Sequence, residues 1–393
     1  MRLLPPQRPG SLERIAGDSK GRAFRRWVNG KNLALVSILT LAVLLLACQP
    51  EARQSTFGPA GPVAEKQLLL FNVLLWVMIA VFILVEGALL YAAIRFRPRP
   101  GQALPHQVHG NTPLEITWTI VPTILILGLG AWSVLTLFEL ENPPAAAAED
   151  ALEITARGHQ WWWEFEYPDA DGNGKRITTA NELRIPVDRA VIAHLRSDDI
   201  NHSFWIPKLA GKVDVVPTRE NRMWFQADQT GMFYGQCAEL CGIAHALMKF
   251  RVHAVTQEEY DAWVAGYGQP PQLSAAAQRG QQLFNADGGC VVCHTAGGPD
   301  ARSVVEGRAQ GWLAGGPIAP GPNLTDLATR HSLGAGLLDL NRENLRRWLT
   351  NPEEVKPGNR MSDRALAYQT ADGHIRLTQA QVSDLIEYLL SLK

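Results

Sequence analysis

Three apolar runs interrupt a chain that is otherwise mixed in character. The first, 33–47 ("LALVSILTLAVLLLA"), is short of the ~20 residues that a helix needs to cross a bilayer. The second, 68–94 ("LLLFNVLLWVMIAVFILVEGALLYAAI"), is long enough to cross with some tilt. The third covers about 118–140, with Pro122 near its start, where the first helical turn tolerates proline. From 151 to 257 the pattern changes. Short β-rich runs such as "ALEITARG", "AVIAHLRS" and "NRMWFQA" alternate with turn signals, "DADGNG" and "KLAG", as in a small β-sandwich or barrel. A Gly/Pro-rich stretch, "AGYGQPPQLS" at 265–274, reads as a linker, and helical segments come after it. The expected organisation is a leader over 1–47, a two-helix transmembrane hairpin within 48–145, an all-β domain over 146–257, a linker over 258–273 and an all-α domain over 274–393.

Charge sets the orientation. "RFRPRP" comes directly after the first span and places Arg95, Arg97 and Arg99 on the cytoplasmic side. The exit of the second span, "ELENPPAAAAED", is acidic. Everything after about residue 145 is therefore expected outside the cytoplasm, on a bacterial plasma membrane. The leader carries Arg22, Arg25, Arg26 and Lys31 before its apolar core, as a secretory signal does. Its end, "LLAC", resembles a bacterial lipoprotein cleavage box and would make Cys48 the lipidated first residue; the alternative is an uncleaved anchor with an idle cysteine. Glu86 lies inside the first span, where a carboxylate is costly and either functional or turned towards a larger assembly. The net charge of −1 gives no reason to expect nucleic acid as a partner.

The five cysteines are one single, Cys48, and two close pairs, each beside a histidine. That is a metal or haem pattern rather than a disulfide framework. A single-copper electron-transfer site uses one cysteine, two histidines and a weak axial methionine. His202, in "INHSFWIP", and the loop "CAELCGIAHALM" supply that set with a cysteine to spare. Because a thiolate bridges metals, Cys237 and Cys241 could hold two coppers, with His202 and His245 capping one each. Met248 and a backbone carbonyl would fill the weak positions. A structural disulfide explains neither histidine, and methionine is a poor zinc ligand.

Beyond the linker, Cys290, Cys293 and His294 stand in the C-x-x-C-H order of c-type haem attachment. A thioredoxin-type dithiol shares the spacing but not the histidine. Met361 is the only methionine after this motif, which makes it the expected sixth ligand, with His331 and His374 as competitors. Met/His ligation raises the potential and leaves no open site for oxygen.

"GHQWWWEFEYP", "INHSFWIPKLAGKVDVVPTR" and "YGQCAELCGIAHALM" closely resemble subunit II of haem–copper cytochrome c oxidases, from the hairpin to about residue 257. The C-terminal segment, with "GPNLT" at 321–325, resembles a class I cytochrome c. The resemblance implies a cupredoxin-like domain with a binuclear copper-A centre held by His202, Cys237, Cys241, His245, Met248 and the Glu239 carbonyl. It also implies that the Glu239 carboxylate helps hold a magnesium at the boundary with subunit I. Trp161 becomes the tryptophan through which electrons enter, although the family has tyrosine where Trp162 stands. Glu115, in "NTPLEITWTIVP", becomes the entrance of a proton path. Class I cytochromes place a proline after the ligand methionine, where this chain has Ser362.

The expected function is that of a caa-type oxidase subunit II with its donor fused on. Electrons from a cytochrome c or a quinol:cytochrome c reductase would reach haem c, then copper A, then subunit I, with subunit III also present and protons translocated. Fusion raises the effective concentration of the donor. The alternatives are a copper-A nitric oxide reductase subunit, a stand-alone membrane-anchored electron carrier and a copper-delivery protein.

Overall fold

A computed structural model describes residues 35–41, 52–97, 101, 106–286, 289–297, 321–370 and 373–393. The chain divides into two compact units, Met1–Ala52 and Arg53–Lys393. In the first, residues 35–41 are helical and exposed. Cys48, the expected lipidation site, lies outside the described residues.

Two helices long and apolar enough to cross a membrane open the second unit. α1 (Pro62–Arg95) begins with a proline in its first turn, where no intrahelical N–H is required. α2 (Thr112–Glu141) is capped by Asn111, whose Oδ1 accepts the Leu114 N–H at 3.2 Å. This cap starts α2 well before the apolar run, so Pro122 lies inside the helix and not in its first turn. Hydropathy misses that start because the opening turn, "TPLE", is polar. Threonine hydroxyls back-bond the same stretch, Thr119 to the Glu115 carbonyl at 2.9 Å and Thr123 to Thr119 at 2.6 Å. Side chains of this kind help membrane helices to accommodate proline. Lys66 and Glu139 pair at 2.8 Å between the two helices.

The β-domain consists of β1 (Leu152–His159), β2 (Trp162–Tyr167), β3 (Ile177–Ala180), β4 (Glu182–Pro186), β5 (Val191–Ser197), β6 (His202–Trp205), β7 (Lys212–Val215), β8 (Asn221–Phe225), β9 (Gly231–Cys237) and β10 (Lys249–Val255). They form two five-stranded sheets, ordered β3-β2-β1-β5-β8 and β4-β10-β9-β6-β7. The pairs β1–β5 and β4–β10 are parallel. Alternation along β2 turns Trp163, Phe165 and Tyr167 into the core. There Phe204 and Phe250 stack at 4.6 Å, with Trp163 edge-on to Phe204 at 5.3 Å. Ala60 and Val63 join the same core, which roots the hairpin in the β-domain.

α3 (Gln257–Gly266) corrects the expected linker. Thr256 and Glu259 form a capping box, and Tyr260, Trp263 and Val264 are buried in the β-domain core. Their i, i+3, i+4 spacing is that of an amphipathic helix. The Tyr267 hydroxyl then donates to the Thr178 carbonyl at 2.7 Å on edge strand β3. Only 268–273 remain as a connection.

The C-terminal domain packs α4 (Ala275–Asn285), α5 (Arg342–Thr350) and α6 (Gln379–Leu389) around Phe284, Leu345, Leu349, Leu385 and Ile386. A two-stranded hairpin, Ser332–Leu333 with Leu338–Asp339, interrupts its helical character. This domain is docked on the β-domain in one arrangement. The buried Glu182 carboxylate of β4 accepts the His331 N–H at 2.8 Å and the Ser332 hydroxyl at 2.6 Å. Burial would raise the Glu182 carboxyl, but hydrogen bonds from His331 and Ser332 hold it below the usual range. Arg251 of β10 donates to Asp339 at 2.8 Å, and Thr179 of β3 donates to Asp326 at 3.1 Å.

Candidate functional site

β6 begins at His202 and β9 ends at Cys237, and the loop between β9 and β10 brings in the other expected donors. The Cys237 N–H donates to the Met248 carbonyl at 2.9 Å and closes the loop at its base. The two thiols lie 3.8 Å apart and are free, so the disulfide alternative does not describe this structure. Cys237 Sγ is 3.8 Å from His202 Nδ1 and 3.3 Å from the Glu239 carbonyl oxygen. Cys241 Sγ is 3.5 Å from His245 Nδ1 and 3.8 Å from Met248 Sδ. Each sulfur thus has its own imidazole and its own weak donor. His202, Cys237, Cys241 and Met248 are buried, and His245 is half-buried.

The chemistry of this donor set fits a pair of soft metal ions bridged by two thiolates. The Cys241 thiol, against the effect of burial, holds Cys237 down to about 3, and the same contact pushes Cys241 up. Both sulfurs would bind metal as thiolates, so metal binding would release the protons they carry. His202 points Nε2 at the Asp199 carboxylate, 2.8 Å away, leaving Nδ1 towards the sulfur. Gly158 of β1 lies against that ring. A Cβ there would fall 2.6 Å from it, so only glycine fits. Neither Asp199 nor Gly158 was foreseen from sequence; the i, i+3 placement of Asp199 before His202 was the one available signal.

Trp161 lies beside this loop. Its Nε1 donates to the Cys241 carbonyl at 2.8 Å, and Gln160 Nε2 donates to the same oxygen at 2.9 Å. Glu239 and Leu240 are exposed on the loop's outer side.

In the C-terminal domain, Cys290–Val292 form a 3₁₀ turn, and the His294 N–H closes on the Cys290 carbonyl at 2.9 Å. His294 Nδ1 lies 2.9 Å from the Pro322 carbonyl. A proton on Nδ1 makes that contact and frees Nε2 as a ligand. Burial pushes His294 down, towards the neutral form that ligates. "GPNLT" folds over this imidazole, where a Cβ at Gly321 would fall 2.7 Å from the ring. Met361 is the second residue of a short helix, Arg360–Arg364, and packs against the same apolar core as Cys290 and Val291. These residues fit a covalently attached haem.

The competing histidines are placed differently. His331 sits on the docking contact, its Nδ1 3.4 Å from Glu182 and its ring edge-on to His253 at 4.6 Å. His374 is exposed before α6. Glu115 is exposed in the first turn of α2, where its Oε1 accepts the Asn111 N–H at 3.1 Å. Glu86 is exposed on α1.

Comparison with known proteins covers almost the whole chain. Residues 152–255 match the family "Cytochrome C oxidase subunit II, periplasmic domain", 51–136 match "Cytochrome C oxidase subunit II, transmembrane domain", and 277–393 match "Cytochrome c". Cytochrome c oxidase subunit 2 of Alkalihalophilus pseudofirmus is 35% identical over 377 residues, spanning 94% of this chain and 99% of the relative. The protein of the same name from Bacillus sp. (strain PS3) is 37% identical over 377 residues, spanning 92% and 98%. The periplasmic domain of subunit II of cytochrome oxidase from Bradyrhizobium japonicum is 35% identical, covering 29% of this chain and 91% of that one, with a TM-score of 0.27.

Proposed function

The chain belongs to the cytochrome c oxidase subunit II family, with a cytochrome c domain fused in the caa-type arrangement, and from that premise we propose its role in detail. As a subunit of a membrane-embedded oxidase complex with subunit I, it is an oxidoreductase component with copper-A and haem c domains. Our reading is that it receives electrons in the cytochrome domain and hands them through the copper domain to subunit I. Oxygen reduction there would be coupled to proton translocation, with both domains outside the cytoplasm.

When bound, haem c and copper A each take up and release electrons one at a time. His202, Cys237, Cys241, His245, Met248 and the Glu239 carbonyl would hold two coppers. Cys290 and Cys293 would hold the haem covalently, with His294 and Met361 as axial ligands. The buried setting of the copper donors favours electron transfer, because a hydrolytic centre keeps an open position for water. Asp199 orients His202, and the hydrogen bond from Trp161 to the Cys241 carbonyl gives the indole a route into the ligand loop. Glu239 and Leu240, exposed together, suit a contact with subunit I, where the Glu239 carboxylate would share a magnesium. Glu115 would feed a proton path in that subunit. A soluble cytochrome c or a quinol:cytochrome c reductase would be the donor, and subunit III would complete the complex.

One observation carries the reading: two free thiols 3.8 Å apart, each with its own histidine. The test is co-purification from the native membrane and then oxygen uptake with reduced cytochrome c. Cyanide-sensitive uptake together with a large multi-span partner is expected. Consumption of nitric oxide instead, or a lone chain with neither activity, would overturn it.

A further inference from the structure

Three contacts from the cytochrome domain converge on Gln160 and Trp161. The Arg360 guanidinium hydrogen-bonds to Gln160 Oε1 and lies over the Trp161 ring, 5.6 Å from its centroid. Lys356 Nζ donates to the Trp161 carbonyl. Within the copper domain, Gln160 and Trp161 both donate to the Cys241 carbonyl. The indole is thus held between the copper loop and a single turn of the cytochrome domain. Arg360 is also the immediate neighbour of Met361, so one peptide link joins the residue over the indole to the expected haem ligand.

We propose that Arg360 is a positioning residue for electron transfer, fixing Trp161 against the Met361 turn so that residues 356–361 form the electronic contact between the domains. The proposal rests on Trp161 being the residue through which electrons enter copper A, and it names what meets that residue on the donor side.

The turn that carries Arg360 is braced by its own hydrogen bonds. Asn359 Oδ1 accepts the Ser362 N–H at 2.9 Å, and Asn359 Nδ2 donates to the Lys356 carbonyl at 2.8 Å. The Gly358 N–H is bound by Glu353 at 2.7 Å. Lys356 is 4% exposed, and burial pushes it down to about 7. A buried amine is an expensive way to glue two domains, since an apolar residue of similar size packs there without loss of hydration. Docking has separate anchors in Glu182, Arg251 and Thr179. Loss of Arg360 is therefore expected to disturb the indole and leave the domain seated. A cation over an indole face is a favourable, directional contact, strengthened where water is excluded.

The test is laser-flash reduction of haem c by a ruthenium polypyridyl dye in the intact, detergent-solubilised oxidase. It tracks one electron from ferrous haem c to oxidised copper A, with no bond made or broken. The haem–copper distance is read separately, from the relaxation enhancement of the copper-A EPR signal by ferric haem. Arg360→Ala is expected to slow the transfer on the order of tenfold, as loss of a positioned contact does, with the enhancement and both potentials unchanged. Arg360→Lys, which keeps a cation on the ring, is expected to restore most of the rate, and Trp161→Phe to slow it at least as much as Arg360→Ala. Lys356→Met, expected to slow transfer less, probes the same contact if the Arg360 variants do not assemble. A wild-type rate in Arg360→Ala with a slow Trp161→Phe would overturn the role of Arg360 and leave that of Trp161 standing. A wild-type rate in Trp161→Phe would remove the underlying reading and the proposal with it. Slowing accompanied by a weakened enhancement would make Arg360 a docking residue and overturn the proposal.

Discussion

Asp199 Oδ1 and His202 Nε2 face each other at 2.8 Å, with the imidazole fully buried behind the carboxylate. Burial would lower the histidine, yet Asp199 and the Cys237 sulfur raise it. Asp199 also accepts the Gln160 N–H at 2.6 Å and the Ile200 N–H at 2.7 Å, so it is itself rigidly held. Outer partners of this kind fix the tautomer and angle of a metal-binding histidine. Asp199→Ala is expected to weaken copper binding by roughly 10–100-fold while haem attachment persists, as measured by competition with a copper chelator.

Docking of the cytochrome domain should depend on acid. The Glu182 carboxyl is depressed from 4.5 in the docked chain, so its contribution is complete above that value and is lost as pH falls through the lower, docked value. Glu182→Ala leaves Ser332 and the His331 N–H without their acceptor, a loss of about 1–3 kcal/mol. Proteolytic cleavage within 268–273 should rise in the variant at neutral pH, and in the wild type only under acid.

Met361 shares its packing with Cys290 and Val291, whereas His331 is engaged by Glu182 and His374 is exposed. Replacing Met361 with alanine should lower the haem potential by on the order of 0.1 V, within the ~0.8 V range that axial ligands span. Redox titration of the haem absorption bands measures it, and an unchanged potential would assign the sixth position to another group.

Glu115 has a local duty at the start of α2, where it accepts the Asn111 N–H. Glutamine keeps that acceptor and cannot carry a proton, which separates the two roles. Glu115→Gln should therefore assemble normally and reduce copper A at the usual rate, while oxygen turnover falls several-fold. Normal turnover would confine Glu115 to capping.

The copper and haem motifs were legible because most of their expected ligands lie close in sequence and combine uncommon residue types: two cysteines, a histidine and a methionine within 237–248, and C-x-x-C-H at 290–294. The two spans were legible from length and hydropathy, but the start of α2 was not, since a helix cap is a single asparagine with a polar turn after it. Residues 258–266 read as linker because they run directly into the Gly- and Pro-rich segment "GYGQPP", although the Thr256–Glu259 capping box and the Tyr260/Trp263/Val264 stripe were present. His331 kept a ligand's eligibility until its partner was known. That partner, Glu182, is 149 positions away, a separation no local pattern encodes. The contact of Arg360 with Trp161 was hidden for the same reason.

Because α3 and Tyr267 belong to the copper domain, only 268–273 join it to the cytochrome domain, a reach of roughly 20 Å at full stretch. A cytochrome unseated by a fluctuation would remain within about its own diameter of the seat. That geometry suits a hinged cover and rules out a swinging arm. On the proposed function, a haem held by Cys290 and Cys293 would stay within that reach of the copper domain, and its electron donors would have to come to it.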